Sequence, residues 1–192
     1  MVTAAWTVAA CSSQPTPTGT NPLTAPSTEP PSVGPSAQPT PTSSVVIDPQ
    51  LLEILPISVD GLDVVESPDA ELAALGDPQL EAVAAALAAG IAVDPASGEF
   101  VYAVVVRLIP GSLDAAAFRD WRDSYDEGAC SQADGVLGHA ETEIGGTTVY
   151  IGTCVGGLRT YHAWLEARDV LISVSAVGER RLGEHLVENL RP

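Results

Sequence analysis

The sequence contains no lysine: its eight basic residues are all arginine, against 25 aspartates and glutamates, and the net charge is −17. A sequence-independent nucleic-acid binder neutralises phosphates with clustered cations, so this balance excludes that class and disfavours docking on anionic lipid by charge alone. The absence of lysine also excludes Schiff-base chemistry and Ser-x-x-Lys acylation. We therefore expect no nucleic-acid partner.

Short catalytic motifs are missing as well. The chain has no G-x-S-x-G elbow, no H-E-x-x-H zinc motif and no G-x-x-x-x-G-K-[ST] phosphate loop. Its three cysteines form no C-x-x-C pair, and its three histidines do not recur at helical metal-ligand spacing. The sequence therefore predicts a non-enzymatic protein without metal or cofactor. Hydrophobic residues make up 45% of the chain, which is enough for a folded core.

The first ten residues carry no charge and are almost wholly apolar, ending in the small residues Val8, Ala9 and Ala10 before Cys11. A transmembrane helix needs about 20 apolar residues, so this run is too short to span a bilayer. A short apolar run that ends in small residues is typical of a secretory signal. We therefore interpret residues 1–10 as the remnant of a signal peptide.

The run Val8-Ala9-Ala10-Cys11 resembles the lipobox of bacterial lipoproteins. This resemblance implies cleavage before Cys11 and a diacylglyceryl group on its sulfur, which would anchor the protein to the extracytoplasmic face of the cell membrane. No basic residue precedes Cys11, so we expect the positively charged start of the signal to lie upstream. The alternative is a cytosolic protein with a fortuitously apolar N-terminus.

Residues 12–44 contain nine prolines, seven serines and seven threonines, and Glu29 is their only charge. Such a composition buries too little apolar surface to fold and favours extended polyproline II. We expect residues 11–44 to be a lipidated cysteine followed by a disordered tether. An SH3-type ligand is the alternative, but the flanking positive charge that such ligands use is missing.

Residues 45–192 have the size of one domain. We predict an α+β fold, an antiparallel β-meander with helices packed mainly on one face. The β-branched run 100–109 predicts a buried strand, and Gly145-Gly146 predicts a hairpin of 141–144 with 147–154. The other predicted elements are a short strand or hairpin over 57–65, a helix that starts at Ser67-Pro68-Asp69, helices over 51–55, 79–89, 113–127 and 179–190, and a second hairpin, 158–166 with 170–177.

Cys130 and Cys154 remain after Cys11 is assigned to the anchor. In an exported domain a disulfide between them is the expected state. Two alternatives stay open: nucleophilic catalysis by Cys154 with His139 or His162 as base, and metal ligation with a histidine.

Arg159, Tyr161, His162 and Trp164 lie on one predicted strand and are our candidate ligand-binding residues. Strand alternation puts His162 and Trp164 on one face and Arg159 and Tyr161 on the other. An aromatic pocket with an arginine is one interpretation, and ordinary cross-strand packing is the other.

The predicted helix 113–127 is rich in acids. Asp120, Asp123 and Glu127, with Asp126 adjacent, could face calcium, but no loop of alternating oxygen ligands accompanies them. Pairs at i,i+4 between Arg119 and Asp123 and between Arg122 and Asp126 instead predict a solvated, salt-bridged face. Arg180-Arg181 open the last predicted helix, where they form a weak anion site or pair with acids elsewhere.

These features predict a membrane-anchored envelope lipoprotein that presents a non-enzymatic binding or interaction domain to an envelope protein or small molecule. The alternative is an envelope hydrolase or thiol enzyme that uses Cys154 or the acidic-helix carboxylates. The alanine- and valine-rich, lysine-free composition resembles that of actinobacterial proteins, and the domain resembles the uncharacterised secreted domains on their lipoproteins.

Overall fold

The computed structural model describes residues 45–192. The strands are β1 (Val46–Ile47), β2 (Ser58–Val59), β3 (Leu62–Asp63), β4 (Val65–Glu66), β5 (Ala84–Val93), β6 (Phe100–Leu108), β7 (Val136–Ile144), β8 (Thr147–Cys154), β9 (Arg159–Leu165) and β10 (Val170–Val177). The helices are α1 (Pro68–Leu75), α2 (Pro78–Val83), α3 (Ala115–Cys130) and α4 (Leu182–Glu188), with 3-10 helices at Pro49–Ile54 and Glu166–Arg168. The signal remnant, Cys11 and the tether predicted for residues 1–44 lie outside this range.

The main sheet confirms the α+β class, but it is not a simple meander. Its strand order is β1-β5-β6-β10-β9-β8-β7, with β4 also paired to β5. The pairing is antiparallel except that β1 runs parallel to β5. Strand β10 lies between β6 and β9, because the chain crosses from β6 through α3 to the far edge and then returns strand by strand. Both predicted hairpins are present within this return.

The helix predicted over 79–89 is wrong beyond its first turns. Helix α2 ends at Val83, and the alanine-rich stretch that follows is β5, which pairs with β6 from Ala84 to Val93. Alanine favours helices, but propensity is a weak prior that burial can override. Small side chains suit this strand because it is covered on both faces: Leu87, Ala88 and Ala89 are fully buried.

Two apolar clusters lie on opposite faces of the sheet. Val101, Ala103 and Val105 of β6 belong to one cluster, whereas Val104 and Val106 belong to the other, as strand alternation requires. We call them the α4 face and the α3 face after the helices that cover them. The α4 face receives Leu182, Leu186 and Val187 and the first 3-10 helix, and the α3 face receives Leu80, Phe118 and Trp121. Both clusters therefore include residues from helices.

Helix α3 positions most of the polar groups discussed below. Asp114 caps it by accepting hydrogen bonds from the backbone N–H groups of Ala116 and Ala117 at 2.9 and 2.8 Å. Its apolar stripe, which includes Phe118 and Trp121, turns onto the sheet as the sequence predicts. Among residues 45–192, no helix combines the length and apolar character needed to cross a membrane.

Candidate functional site

A disulfide joins Cys130, the last residue of α3, to Cys154, the last residue of β8. This confirms the predicted pairing. The bond closes a loop of 24 residues and, in the chain-entropy model, stabilises the fold by about 3 kcal/mol. Because its sulfur is bonded to Cys130, Cys154 carries no thiolate that could act as a nucleophile in this structure.

Next to the disulfide, Asp126 points from α3 into the interior and is fully buried. Its Oδ1 accepts hydrogen bonds from Thr160 Oγ1 at 2.5 Å and from His162 Nε2 at 2.9 Å. Nε2 of His139 lies 3.0 Å from Oδ2, within ion-pair distance, although Oδ2 accepts no hydrogen bond from any described residue. His162 is fully buried, whereas the side chain of His139 is 41% exposed.

The hydrogen bonds fix the tautomer of His162. A carboxylate only accepts, so Nε2 of His162 carries the proton that it donates to Asp126. In the neutral imidazole, Nδ1 then accepts from the hydroxyl of Ser173, 3.1 Å away. The rings of Trp121 and Tyr125 meet this imidazole edge-on at 5.4 and 5.1 Å.

The ionised form of Asp126 is held by its partners. Burial by itself would raise the pKa of Asp126, but the hydrogen bonds from His162 and Thr160, together with the positive charge that His162 and His139 carry when protonated, outweigh it, and the pKa is lowered. Gly152 of β8 makes the close approach feasible: a Cβ there would lie 2.4 Å from Asp126 Oδ2 and from Thr160 Oγ1. Gly152 also donates its N–H to Thr160 Oγ1 at 3.2 Å.

The chain Ser173–His162–Asp126 has the residue types of a hydrolase triad but lacks access. Ser173, His162 and Asp126 are 2%, 0% and 0% exposed, so no substrate carbonyl reaches the hydroxyl. A nucleophile must stand within bonding reach of its substrate. We therefore assign these three side chains a structural role, which is to hold α3 on the sheet. In residues 45–192, no group of three or more His, Cys, Asp or Glu side chains is arranged to hold a metal ion.

The four candidate ligand-binding residues are split between the two faces of the sheet. Tyr161 is buried in the α4 face, and Arg159 lies near α4, with Nη1 3.7 Å from Glu184 Oε1. His162 is buried in the Asp126 network, and Trp164 lines a cavity. Strand alternation thus separates them as the sequence predicts, and they do not form one pocket.

Trp164 lines a groove of about 560 Å³ between α3 and the strands β7, β8 and β9, which we call the aromatic groove. Phe118 forms its centre, with its ring centroid 5.3 Å from Tyr150 and 5.7 Å from Trp164. The guanidinium carbon of Arg122 lies over the Tyr150 ring, 4.7 Å from its centroid. The remaining lining residues are Ala115, Arg119, Glu141, Thr148 and Glu166.

Charged side chains of both signs face this groove. Arg119 and Arg122 come from α3, whereas Glu141 comes from β7 and Glu166 from the second 3-10 helix. Arg122 is paired with Asp123 at 2.8 Å. Arg119, Glu141 and Glu166 make no ion pair with any residue from 45 to 192. The groove volume lies in the usual range for small-molecule sites, roughly 300–1,000 Å³.

The acidic face of α3 differs from the prediction. Asp120 and Glu127 are exposed as expected, but Arg122 pairs with its neighbour Asp123 and not with Asp126, which is buried. Farther along the chain, the arginines expected at the start of the last helix precede α4. There Arg180 pairs with Asp94 at 3.0 Å and Arg181 with Glu184, which confirms the alternative of pairing with acids.

Sequence reasoning missed the partners that complete both sites. The i,i+4 spacing of Arg122 and Asp126 predicts a solvated position for Asp126, and no local pattern links Tyr150 to Phe118. The available signal was the in-register polar set Thr160, His162 and Ser173 on two neighbouring strands, which needed a polar partner once covered.

In the comparisons with known proteins, no family model, curated protein or solved structure matches the chain.

Proposed function

We propose that this protein is an envelope lipoprotein, anchored through Cys11 to the extracytoplasmic face of the cell membrane, whose folded domain binds a small zwitterionic ligand with an aromatic or other flat apolar group. Amino acids and short peptides of that kind are the ligand class. The observation that carries this proposal is the aromatic groove, where three aromatic rings share a cavity with charges of both signs that have no ion-pair partner among residues 45–192.

The lining matches a zwitterion part by part. Phe118, Tyr150 and Trp164 offer apolar ring surface, on which a flat group packs favourably. Arg119 on the helix side would pair with a carboxylate, and Glu141 or Glu166 on the sheet side with an ammonium group. A ligand with both charges would neutralise side chains that lack ion-pair partners among the described residues.

The disulfide supports the exported location. Disulfides persist in oxidising compartments and are rare in the cytosol. The binding role is favoured over the thiol-enzyme alternative because the Cys154 sulfur is bonded to Cys130, and over a serine hydrolase because Ser173 is buried. Of the acidic-helix carboxylates, Asp126 is buried among its own partners and is not accessible to a substrate.

Three phenyl probes test the ligand class by calorimetric titration of the full chain: phenylalanine, phenylacetate and phenethylamine. We expect phenylalanine to bind most tightly, because only it presents both charges. Arg119→Gln should lower the affinity for phenylalanine by roughly three- to tenfold and leave the affinity for phenethylamine unchanged. The double variant with Glu141→Gln and Glu166→Gln should also lower the affinity for phenylalanine, but it should leave the affinity for phenylacetate unchanged.

Exposed side chains outside the groove provide the controls. Arg181→Gln and Glu127→Gln remove the same charges elsewhere and should leave all three affinities within twofold. Equal affinities for the three probes, or equal losses in groove and control variants, would exclude a zwitterion site in the aromatic groove.

The anchor has a separate test. When the gene is expressed with its upstream region in a bacterial host, labelled palmitate should appear on the wild-type protein and in its membrane fraction. Cys11→Ala should lose both, whereas Cys130→Ala with Cys154→Ala should keep the label. A wild-type protein that never carries lipid would refute the anchor without touching the binding site.

A further inference from the structure

Three of the eight arginines in the chain line a single groove of about 610 Å³ at the opposite side of the sheet from α3. Arg107 comes from the end of β6, Arg168 from the second 3-10 helix and Arg191 from the segment after α4. Arg107 is the ladder partner of Val170, which also lines the groove. We call this the arginine groove.

Two of the three guanidinium groups are held in place by single contacts. Arg107 Nη2 lies 2.9 Å from Asp48 Oδ2, and the Arg107 side chain is 48% exposed. Arg191 Nη2 donates to the carbonyl of Leu55, and the backbone N–H of Arg191 donates to Ile54 O at 2.8 Å. A guanidinium has five N–H donors, so each retains donors for a further acceptor.

Arg168 has no ion-pair partner in the part of the chain that the structure describes, and its residue is exposed. Glu53 is the acid among the lining residues, and Asp48, beside the groove, pairs with Arg107. Arg168 and Arg191 have no carboxylate partner among residues 45–192, although the net charge of the chain is −17. Like charges in one cavity repel, so this arrangement gains stability when an oxyanion enters the groove.

We propose that the arginine groove is a second binding site, and that it takes a phosphate monoester or diester. Guanidinium forks match phosphate oxygens in geometry and bind them through paired, charge-assisted hydrogen bonds. Arg107 and Arg191 would present fixed donors, and Arg168 would close on the anion. Leu51 and Ile54, which also line the groove, provide apolar contact for the organic part of the ester.

A free phosphate ester and a phospholipid headgroup share this chemistry. The site stands on its own lining residues and does not depend on the aromatic groove or on the anchor.

Glycerol 3-phosphate is the soluble probe, titrated into the full chain by calorimetry at fixed ionic strength, and vesicles of phosphatidylglycerol or phosphatidylcholine are the membrane probes in sedimentation. We expect saturable binding of glycerol 3-phosphate, and a loss of roughly tenfold in affinity for Arg168→Gln and for Arg107→Gln, as expected when a charge-assisted contact is removed. Arg168→Lys should recover part of the affinity, because it restores the charge without the fork. Arg181→Gln, an exposed arginine that lines neither groove, is the matched control and should stay within twofold of wild type.

The vesicle arm distinguishes the sources. Binding to phosphatidylglycerol vesicles that glycerol 3-phosphate displaces and Arg168→Gln weakens identifies a headgroup site, whereas glycerol 3-phosphate binding without vesicle binding identifies a free ester. Absence of saturable binding to either probe overturns the proposal. So does binding that Arg168→Gln and Arg107→Gln weaken no more than Arg181→Gln does. Circular dichroism of each variant checks that its fold is retained.

Discussion

The two faces of the sheet are built from different chemistry. All six polar or charged residues that are buried among the described residues lie on the α3 side: Glu71, Asp126, Thr160, His162, Ser173 and Ser175. The α4 face is packed with aliphatic side chains and the ring of Tyr161. The α4 face therefore stabilises mainly by apolar burial, which is non-directional, whereas the α3 face also specifies one position of α3 through directional hydrogen bonds.

Structural and binding roles belong to different parts of the α3 face. The hydrogen-bonded half of the α3 face, around Asp126, is closed to solvent. The aromatic groove on the same face is open and retains charges without partners among the described residues. A rigid inner network that positions α3 would hold Phe118, Arg119 and Arg122 against the strands, and sites on rigid elements keep their geometry better than sites on loops.

Removal of the carboxylate should have the largest effect. Asp126→Ala leaves the buried donors of His162 and Thr160 without an acceptor, and we expect the free energy of unfolding to fall by about 3–5 kcal/mol. Asp123→Ala, one turn earlier on α3 and paired only at the surface, is the control and should change it by about 0.5 kcal/mol or less. Urea denaturation of the full chain measures both.

The same network can be replaced by an apolar one. Asp126→Leu combined with His162→Leu and Thr160→Val would make this part of the α3 face resemble the α4 face. Because apolar groups need no partners, the triple variant should be more stable than Asp126→Ala. A triple variant no more stable than Asp126→Ala would show that shape, rather than unpaired polarity, dominates here.

Gly152→Ala should lower the free energy of unfolding by a smaller amount. The added Cβ would lie 2.4 Å from atoms of Asp126 and Thr160, so the network must shift, at a cost of about 1–3 kcal/mol. Gly138→Ala on the neighbouring strand meets no atom within 4 Å and is the matched control. Equal stabilities of the two variants in urea would mean that α3 can move away from the sheet freely.

The contrast between the faces marks what sequence reasoning can reach. The hairpin at Gly145-Gly146 and the buried strand β6 follow from local patterns and are present. The alanines of β5 favour a helix, so the local composition does not predict this strand. Only its burial within the sheet, which the sequence does not show locally, favours the strand conformation. Asp126 was missed for the related reason that its burial depends on Thr160 and His162, more than 30 residues away. Alternation on β9 correctly separated Arg159 from Trp164, but which face α3 would cover is not a local property.

Acid should expose the last and smallest difference between the faces. The pKa of Asp126 is lowered in the folded protein, whereas the pKa of an aspartate in an unfolded chain is about 3.9. The unfolded chain therefore binds more protons between these values, so this contribution is complete above the unfolded pKa and is lost as the pH falls through the folded one. Urea midpoints from pH 6 to pH 2 should decline less steeply for Asp126→Asn than for wild type, while Leu186→Ala on the α4 face lowers the whole curve without changing its slope. If Asp126→Asn keeps the wild-type slope, the acid sensitivity belongs to surface carboxylates, and the hydrogen bonds of His162 and Thr160 hold Asp126 without favouring its charge.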